Sequence, residues 1–168
     1  MINYGRQLIK QDDIKAVIKT LKSNFLTQGS KIAEFENKIN LKFGGKYCCV
    51  LSNGTSALYL LGKALGWKKN DIVATTPISF LASSNCIVNN NATPLFTDID
   101  KKNYLIDPNK LEDKLKKKKI KAVIAVDYAG HPCDWKALKY LSKKYNFILI
   151  NDACHSMGSK YFSEKKYA

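Results

Sequence analysis

The sequence predicts an α/β fold on a mostly parallel sheet, with helices on both faces. Three observations lead there. Short apolar runs alternate with amphipathic stretches along most of the chain. Runs such as Ala122-Val123-Ile124-Ala125-Val126 and Phe147-Ile148-Leu149-Ile150 are apolar throughout, as strands buried on both faces must be. Polar residues gather just after several of these runs, where ligands bind in open α/β sheets.

The elements follow in order. Asp12 or Asp13 is placed to cap a first helix whose apolar residues Ile14, Val17, Ile18 and Leu21 form one stripe. After the turn Thr27-Gln28-Gly29-Ser30, a second helix carries Ile32, Phe35, Ile39 and Phe43 and ends at Gly44-Gly45. Tyr47-Cys48-Cys49-Val50-Leu51 reads as the first strand, with Cys49 and Cys48 on its two faces as buried reduced thiols. A helix from Thr55 to Leu65 closes at Gly66, and the strand Asp71–Thr75 stops at Pro77. A helix from Phe80 to Val88 leads to a short strand, Thr93 to Phe96, with Asp98 and Asp100 beyond it. Pro108 occupies the first turn of a helix through Leu111 and Leu115. After the strand Ala122–Val126, Asp134 caps a helix carrying Leu138 and Leu141, and Phe147 to Ile150 is the last clear strand. Beyond Ser159 the chain reads like a hairpin that never returns, so the expectation is an N-terminal piece of a longer protein.

Bulk properties narrow the function classes. The 168 residues suffice for one domain with a real core, and the 45% apolar content is that of a globular protein. No apolar run is long enough to cross a bilayer, and the N-terminus lacks the apolar stretch of a signal peptide, so a cytoplasmic location with no membrane partner is expected. The five cysteines show no CxxC or Cys/His ligand spacing, which argues against a disulfide framework or a metal site. The net charge of +14 raises nucleic acid as a partner. Arg6 is the sole arginine, however, and bidentate reading of phosphates and guanines calls for arginine. The cluster Lys114, Lys116, Lys117, Lys118 and Lys119 reads as a solvated helix end, so no nucleic-acid partner is expected.

Four strand ends carry candidate chemistry. Ser52-Asn53-Gly54-Thr55-Ser56-Ala57-Leu58 joins a strand to a helix, where free N–H groups, two hydroxyls and the helix dipole favour a phosphate; ordinary Ser/Thr capping explains the same residues. Thr75-Thr76-Pro77-Ile78-Ser79-Phe80 sets an aromatic ring at the carboxyl edge of the sheet, as a plate over a flat ligand or as core. Val126-Asp127-Tyr128-Ala129-Gly130-His131 offers a polar edge. Asn151-Asp152-Ala153-Cys154-His155 places a carboxylate directly after a buried strand, either to hold a protonated pyridine nitrogen or to cap the next helix. As a set, the four fit a flat, phosphorylated, nitrogen-bearing cofactor, and pyridoxal phosphate has that description.

These segments, with Phe25-Leu26-Thr27-Gln28-Gly29, resemble the DegT/DnrJ/StrS family of pyridoxal-phosphate sugar aminotransferases over essentially the whole chain. The resemblance implies the large domain of a type I PLP-dependent aminotransferase, a three-layer αβα sandwich incomplete at its C-terminus. It divides into an N-terminal helical segment over 1–45 and a partial PLP-binding domain over 46–168, with the C-terminal small domain absent. It implies that Gly54, Thr55 and Ser56 hold the cofactor phosphate and Phe80 stacks on the ring. Asp152 would pair with the pyridine nitrogen, and His155 would lie by the 3-hydroxyl. Thr27, Gln28 and Gly29 would border the substrate, with Tyr4 and Arg6 helping to hold a sugar nucleotide. The Schiff-base lysine is expected beyond the chain end, so the chain by itself is expected to be inactive.

The TPISF and VDYAG segments look most like the branch that aminates C4 of a UDP-linked 4-keto-6-deoxy-N-acetylhexosamine, the pseudaminic acid route. Glutamate is the implied amino donor and a homodimer the implied state of the full-length enzyme. Three other readings stand beside this one: a related enzyme of the same fold with a changed nucleophile, such as a dehydratase that uses histidine, a non-catalytic regulator or binding module, and a basic nucleic-acid binder.

Overall fold

The computed structural model describes residues 6–159. The chain divides into two compact units, Met1–Val50 and Leu51–Ala168. In the first, α1 (Gln11–Leu21) and α2 (Ser30–Phe43) follow the two apolar stripes. Lys10 stands at the N-cap of α1, in place of the expected Asp12 or Asp13. Asp13 works from inside the first turn, accepting the Lys10 N–H at 2.7 Å, which is the reverse half of a capping box. Gly44, in the left-handed region, ends α2.

The expected strand over Tyr47–Leu51 is not formed. A strand exists only through its ladder partner, and among the described residues no strand pairs with this segment. The Val50 N–H instead donates to Glu36 Oε1 at 2.9 Å. The buried-thiol expectation fails with the strand, since Cys48 is only half-buried and Cys49 is exposed.

The second unit carries α3 (Gly54–Ala64), β1 (Ile72–Thr75), α4 (Ala82–Asn89), β2 (Thr93–Phe96), α5 (Pro108–Leu115), β3 (Ala122–Val126), α6 (Trp135–Tyr145) and β4 (Ile148–Asp152). The four strands form one parallel sheet in the order β2-β1-β3-β4. Alternate residues of β3 feed two separate cores. Ala122 and Ile124 pack with Leu58 of α3 and Cys86 and Ile87 of α4. Val123 and Ala125 pack with Leu111 and Leu115 of α5 and Leu138 and Leu141 of α6. Helices on both faces explain why the strand residues are apolar throughout.

The caps explain where the helices begin. Asn53, Asp107 and Asp134 each accept a backbone N–H from the first turn of the helix that follows, and Pro108 stands where no N–H is needed. Helix α4 starts two residues later than expected. Pro77 and the Thr76 hydroxyl, which accepts the Ile78 N–H at 3.3 Å, hold the chain in a turn, so Phe80 lies outside the helix. Lys116, Lys117, Lys118 and Lys119 are exposed at the end of α5, as expected of a solvated helix terminus.

One ion pair ties the loop before β1 to the start of β3. Lys121 Nζ donates to Asp71 at 2.7 Å and to the Gly66 carbonyl at 2.8 Å. The hydrogen bond from Lys121 holds the Asp71 carboxyl below the usual carboxylate range. A carboxylate with a lowered folded pKa contributes stability that is complete above its unfolded value and is lost as pH falls through the folded one. Removing the partner in Lys121→Ala is therefore expected to lower the melting temperature at pH 7 and to flatten its decline between roughly pH 5 and pH 3. A pH series of thermal melts checks this; parallel curves for the variant and wild type would count against it.

Candidate functional site

The connections of the sheet leave its strands in opposite directions. From β1 the chain crosses through α4 on one face to β2; from β2 it returns through α5 on the other face, past β1, to β3. The carboxyl ends of β1 and β3 therefore flank a topological switch point, where open α/β sheets bind ligands. A cleft of about 220 Å³ opens at this level. Val126 and Asp152, which pair in register at the ends of β3 and β4, line it together. Gly54 and Thr55 reach it from α3, Phe80 from the loop before α4, and Tyr128, Cys154 and His155 from the turns after β3 and β4.

Asp152 is buried, and each of its oxygens has one fixed donor. The Ser83 hydroxyl donates to Oδ2 at 2.8 Å and the Cys154 N–H to Oδ1 at 3.3 Å. A carboxylate has about four acceptor sites, so capacity remains for a donor in the cleft. At the start of α3, Asn53 Oδ1 takes the Ser56 N–H at 2.8 Å. The Gly54 and Thr55 N–H groups have no helical acceptor, the state in which a helix start attracts an anion. A β-carbon on Gly54 would stand 2.8 Å from Cys154 Sγ, so a larger residue there would require the Cys154 side chain to move.

His155 Nδ1 accepts the Ala129 N–H at 3.3 Å, which leaves Nε2 as the ring's donor nitrogen. Ala129 makes this contact from the left-handed region, at φ 54°, and Gly130 follows at φ 82°. Such a conformation in a non-glycine residue needs support from its surroundings, and Asp127 supplies it. Fully buried, Asp127 accepts the Cys133 N–H at 2.9 Å, the Ser156 hydroxyl at 2.9 Å and the Asn151 amide at 3.3 Å. Its own N–H donates to the Asp152 carbonyl at 3.2 Å. It thus binds the turn after β3 to the turn after β4.

The structure brings together Gly54, Thr55, Phe80, Asp152 and His155. Phe80 is 72% exposed, so it is a cleft wall and not core. Ser56 is adjacent but does not line the cleft; its N–H is used by the Asn53 cap. Arg6 is exposed, and Thr27, Gln28 and Gly29 form the turn before α2 in the other unit. Tyr4 lies outside the described residues. Sequence reasoning missed Ser83, and it placed Asp127 and Cys154 within candidate segments without giving either a role of its own. The available signal for Ser83 was a hydroxyl on the apolar face of a helix.

Cys154 offers a direct probe of the cleft. Although Cys154 is exposed at the surface, partial desolvation of its thiol, and then the neighbouring Asp152 carboxylate, push it up to about 11. At pH 7.5 it holds roughly two orders of magnitude less thiolate than free cysteine. Iodoacetamide labelling of the Cys154 peptide is expected to be slow there and to rise about tenfold per pH unit until near pH 11. Mass spectrometry follows it, and fast labelling at pH 7.5 would contradict the assignment of its surroundings.

The family model of the DegT/DnrJ/EryC1/StrS aminotransferases matches residues 7–166. The chain belongs to this family. It is 43% identical over 167 residues to a Campylobacter jejuni UDP-4-amino-4,6-dideoxy-N-acetyl-beta-L-altrosamine transaminase, covering 98% of this chain and 44% of that protein. Helicobacter pylori PseC, an aminotransferase of pseudoaminic acid biosynthesis, superposes with a TM-score of 0.91 at 33% identity, over 99% of this chain and 44% of that one. The PLP form of Spr1654, a putative sugar aminotransferase from Streptococcus pneumoniae, gives 0.87 at 27% identity, over 97% and 45%. The chain spans less than half the length of these relatives. The αβα layers are those of the PLP-dependent aminotransferase large domain. Among the described residues, no helix is long and apolar enough to cross a membrane.

Proposed function

We propose that the protein carrying this chain is a pyridoxal-phosphate sugar-nucleotide aminotransferase. It moves an amino group from glutamate to C4 of a UDP-linked 4-keto-6-deoxy-N-acetylhexosamine, and this chain supplies the cofactor floor. The observation that carries the reading is Asp152: a buried carboxylate at a strand end, with unused acceptor capacity, in a cleft shared with a free helix start and an exposed aromatic ring. That donor set fits a phosphorylated pyridine. The relatives named above support the sugar-nucleotide substrate.

When bound, pyridoxal phosphate supplies an electron sink through which an amino group passes between two carbon skeletons. On this reading the chain's own residues do the following. The Gly54 and Thr55 N–H groups and the Thr55 hydroxyl bind the phosphate, with Ser56 beside them. Phe80 covers one ring face and excludes water from it. Asp152 holds a proton at the ring nitrogen. His155 donates from Nε2 to the 3-oxygen. Tyr4, Arg6, Thr27, Gln28 and Gly29 keep the substrate role that the family resemblance implies. The full-length enzyme is a cytoplasmic homodimer.

The test supplies the full-length protein with ¹⁵N-glutamate and the UDP-4-keto sugar. Mass spectrometry is expected to find the label in a UDP-4-amino sugar. Bound pyridoxamine phosphate with no transfer to that sugar would overturn the substrate, and failure to bind the cofactor would overturn the reading.

A further inference from the structure

We infer that Ser83 is a positioning residue for Asp152: from α4 it fixes the orientation in which that carboxylate meets the cofactor ring nitrogen. The inference rests on the cofactor reading above and adds a residue to it.

Helix α4 buries Ala82, Ser83, Cys86 and Ile87. Ser83 is the hydroxyl in this otherwise apolar set, and it is fully buried. A helical serine commonly turns its hydroxyl back onto its own helix, as Ser84 does towards the Leu81 carbonyl at 3.1 Å. Ser83 instead donates across 69 positions of sequence to Asp152 Oδ2 at 2.8 Å. A hydroxyl donor on a carboxylate is a strong, short class of hydrogen bond.

The second oxygen, Oδ1, takes the Cys154 N–H at 3.3 Å. With one donor on each oxygen, from two different elements, the carboxylate plane cannot rotate without breaking a bond. The backbone donor comes from the turn that Asp152 itself begins, so it moves with Asp152. Ser83 is the donor from outside that turn, and it refers the carboxylate to α4. Phe80 leads into α4, with its carbonyl accepting the Ser83 N–H at 3.1 Å. Ser83 therefore joins the aromatic wall and the carboxylate in one fixed geometry, which a rigid ring bound between them requires.

A double-mutant cycle on the full-length protein separates positioning from simple support of the fold. Pyridoxamine 5′-phosphate is the probe, because it has no aldehyde to react with surface lysines, and calorimetry reads its affinity. Ser83→Ala is expected to weaken binding roughly tenfold, the effect of one hydrogen bond to a charged group. Asp152→Ala is expected to weaken it further, and the double variant no further than Asp152→Ala alone. Wild-type affinity in Ser83→Ala, or an equal Ser83→Ala loss in the Asp152→Ala background, would overturn the inference. If Asp152→Ala itself binds like wild type, the cofactor reading fails instead.

Discussion

Asp152→Ala in the full-length protein is expected to abolish turnover while leaving some cofactor bound. The carboxylate stands at the end of β4 with two acceptor positions already taken, by Ser83 and by the Cys154 N–H. Alanine removes the one anion lining the cleft. Asp152 would then no longer hold a proton at the ring nitrogen, the charge on which the cofactor's electron-sink chemistry would depend. Losing one such preorganised electrostatic partner commonly costs about two to three orders of magnitude in rate. The free N–H groups of α3 and the Phe80 ring remain, so binding weakens less than the rate falls. Asp152→Asn keeps the shape and an acceptor for Ser83 without the charge, so it is expected to retain binding better than alanine while turning over as poorly. Single-turnover rates and pyridoxamine phosphate affinities, measured side by side, check both parts. Wild-type turnover in Asp152→Ala would remove the central assignment.

The second large effect is expected at Asp127, on stability. Asp127→Ala strips three donors of their acceptor in the buried seam between the turns after β3 and β4. An orphaned buried donor costs about 1–3 kcal/mol, and the Cys133 N–H and Ser156 hydroxyl both lose their partner. The expected loss is therefore about 3 kcal/mol, a large share of the 5–15 kcal/mol that holds a typical domain together. Ser156→Ala deletes one donor and leaves the other two bonds in place, so its loss should be about 1 kcal/mol. Urea unfolding measures both. Equal, small losses for the two substitutions would mean that Asp127 is not the centre of this seam. The left-handed Ala129 depends on the same seam, so His155 should lose its hydrogen bond to the Ala129 N–H in Asp127→Ala even where the fold survives.

What could be read from the sequence divides by distance along the chain. The cap Asp134, the first-turn Pro108 and the terminating Gly44 act on residues a few positions away, and each had a local signal; Asn53 and Asp107 cap over the same short range without having been assigned that role from the sequence. The apolar strands gave the parallel sheet for the same reason. Tyr47–Leu51 has the composition of a strand, but a strand also needs a neighbour, and composition does not record one. Phe80 was correctly placed at the sheet edge, while its helix began later because Pro77 and Thr76 keep the preceding turn. The contacts that orient the site were beyond local reading. Ser83 meets Asp152 across 69 positions and Ser156 meets Asp127 across 29. A hydroxyl on an apolar helix face marks Ser83 as unusual, but nothing nearby in sequence says which distant carboxylate either serine meets.

The cleft differs in charge from the rest of the molecule. The chain has a formal net charge of +14, yet the described residues lining the cleft include neither lysine nor arginine. On the proposed reading, a phosphorylated ligand would be drawn in by a diffuse field from the outer surface and then held by neutral amide and hydroxyl donors. Dissolved ions screen the first influence over about 10 Å at 0.1 M salt and barely touch the second. Raising ionic strength should therefore slow the ligand's arrival while leaving its residence time nearly constant. A basic exterior around a cleft without lysine or arginine among its described residues separates capture from retention.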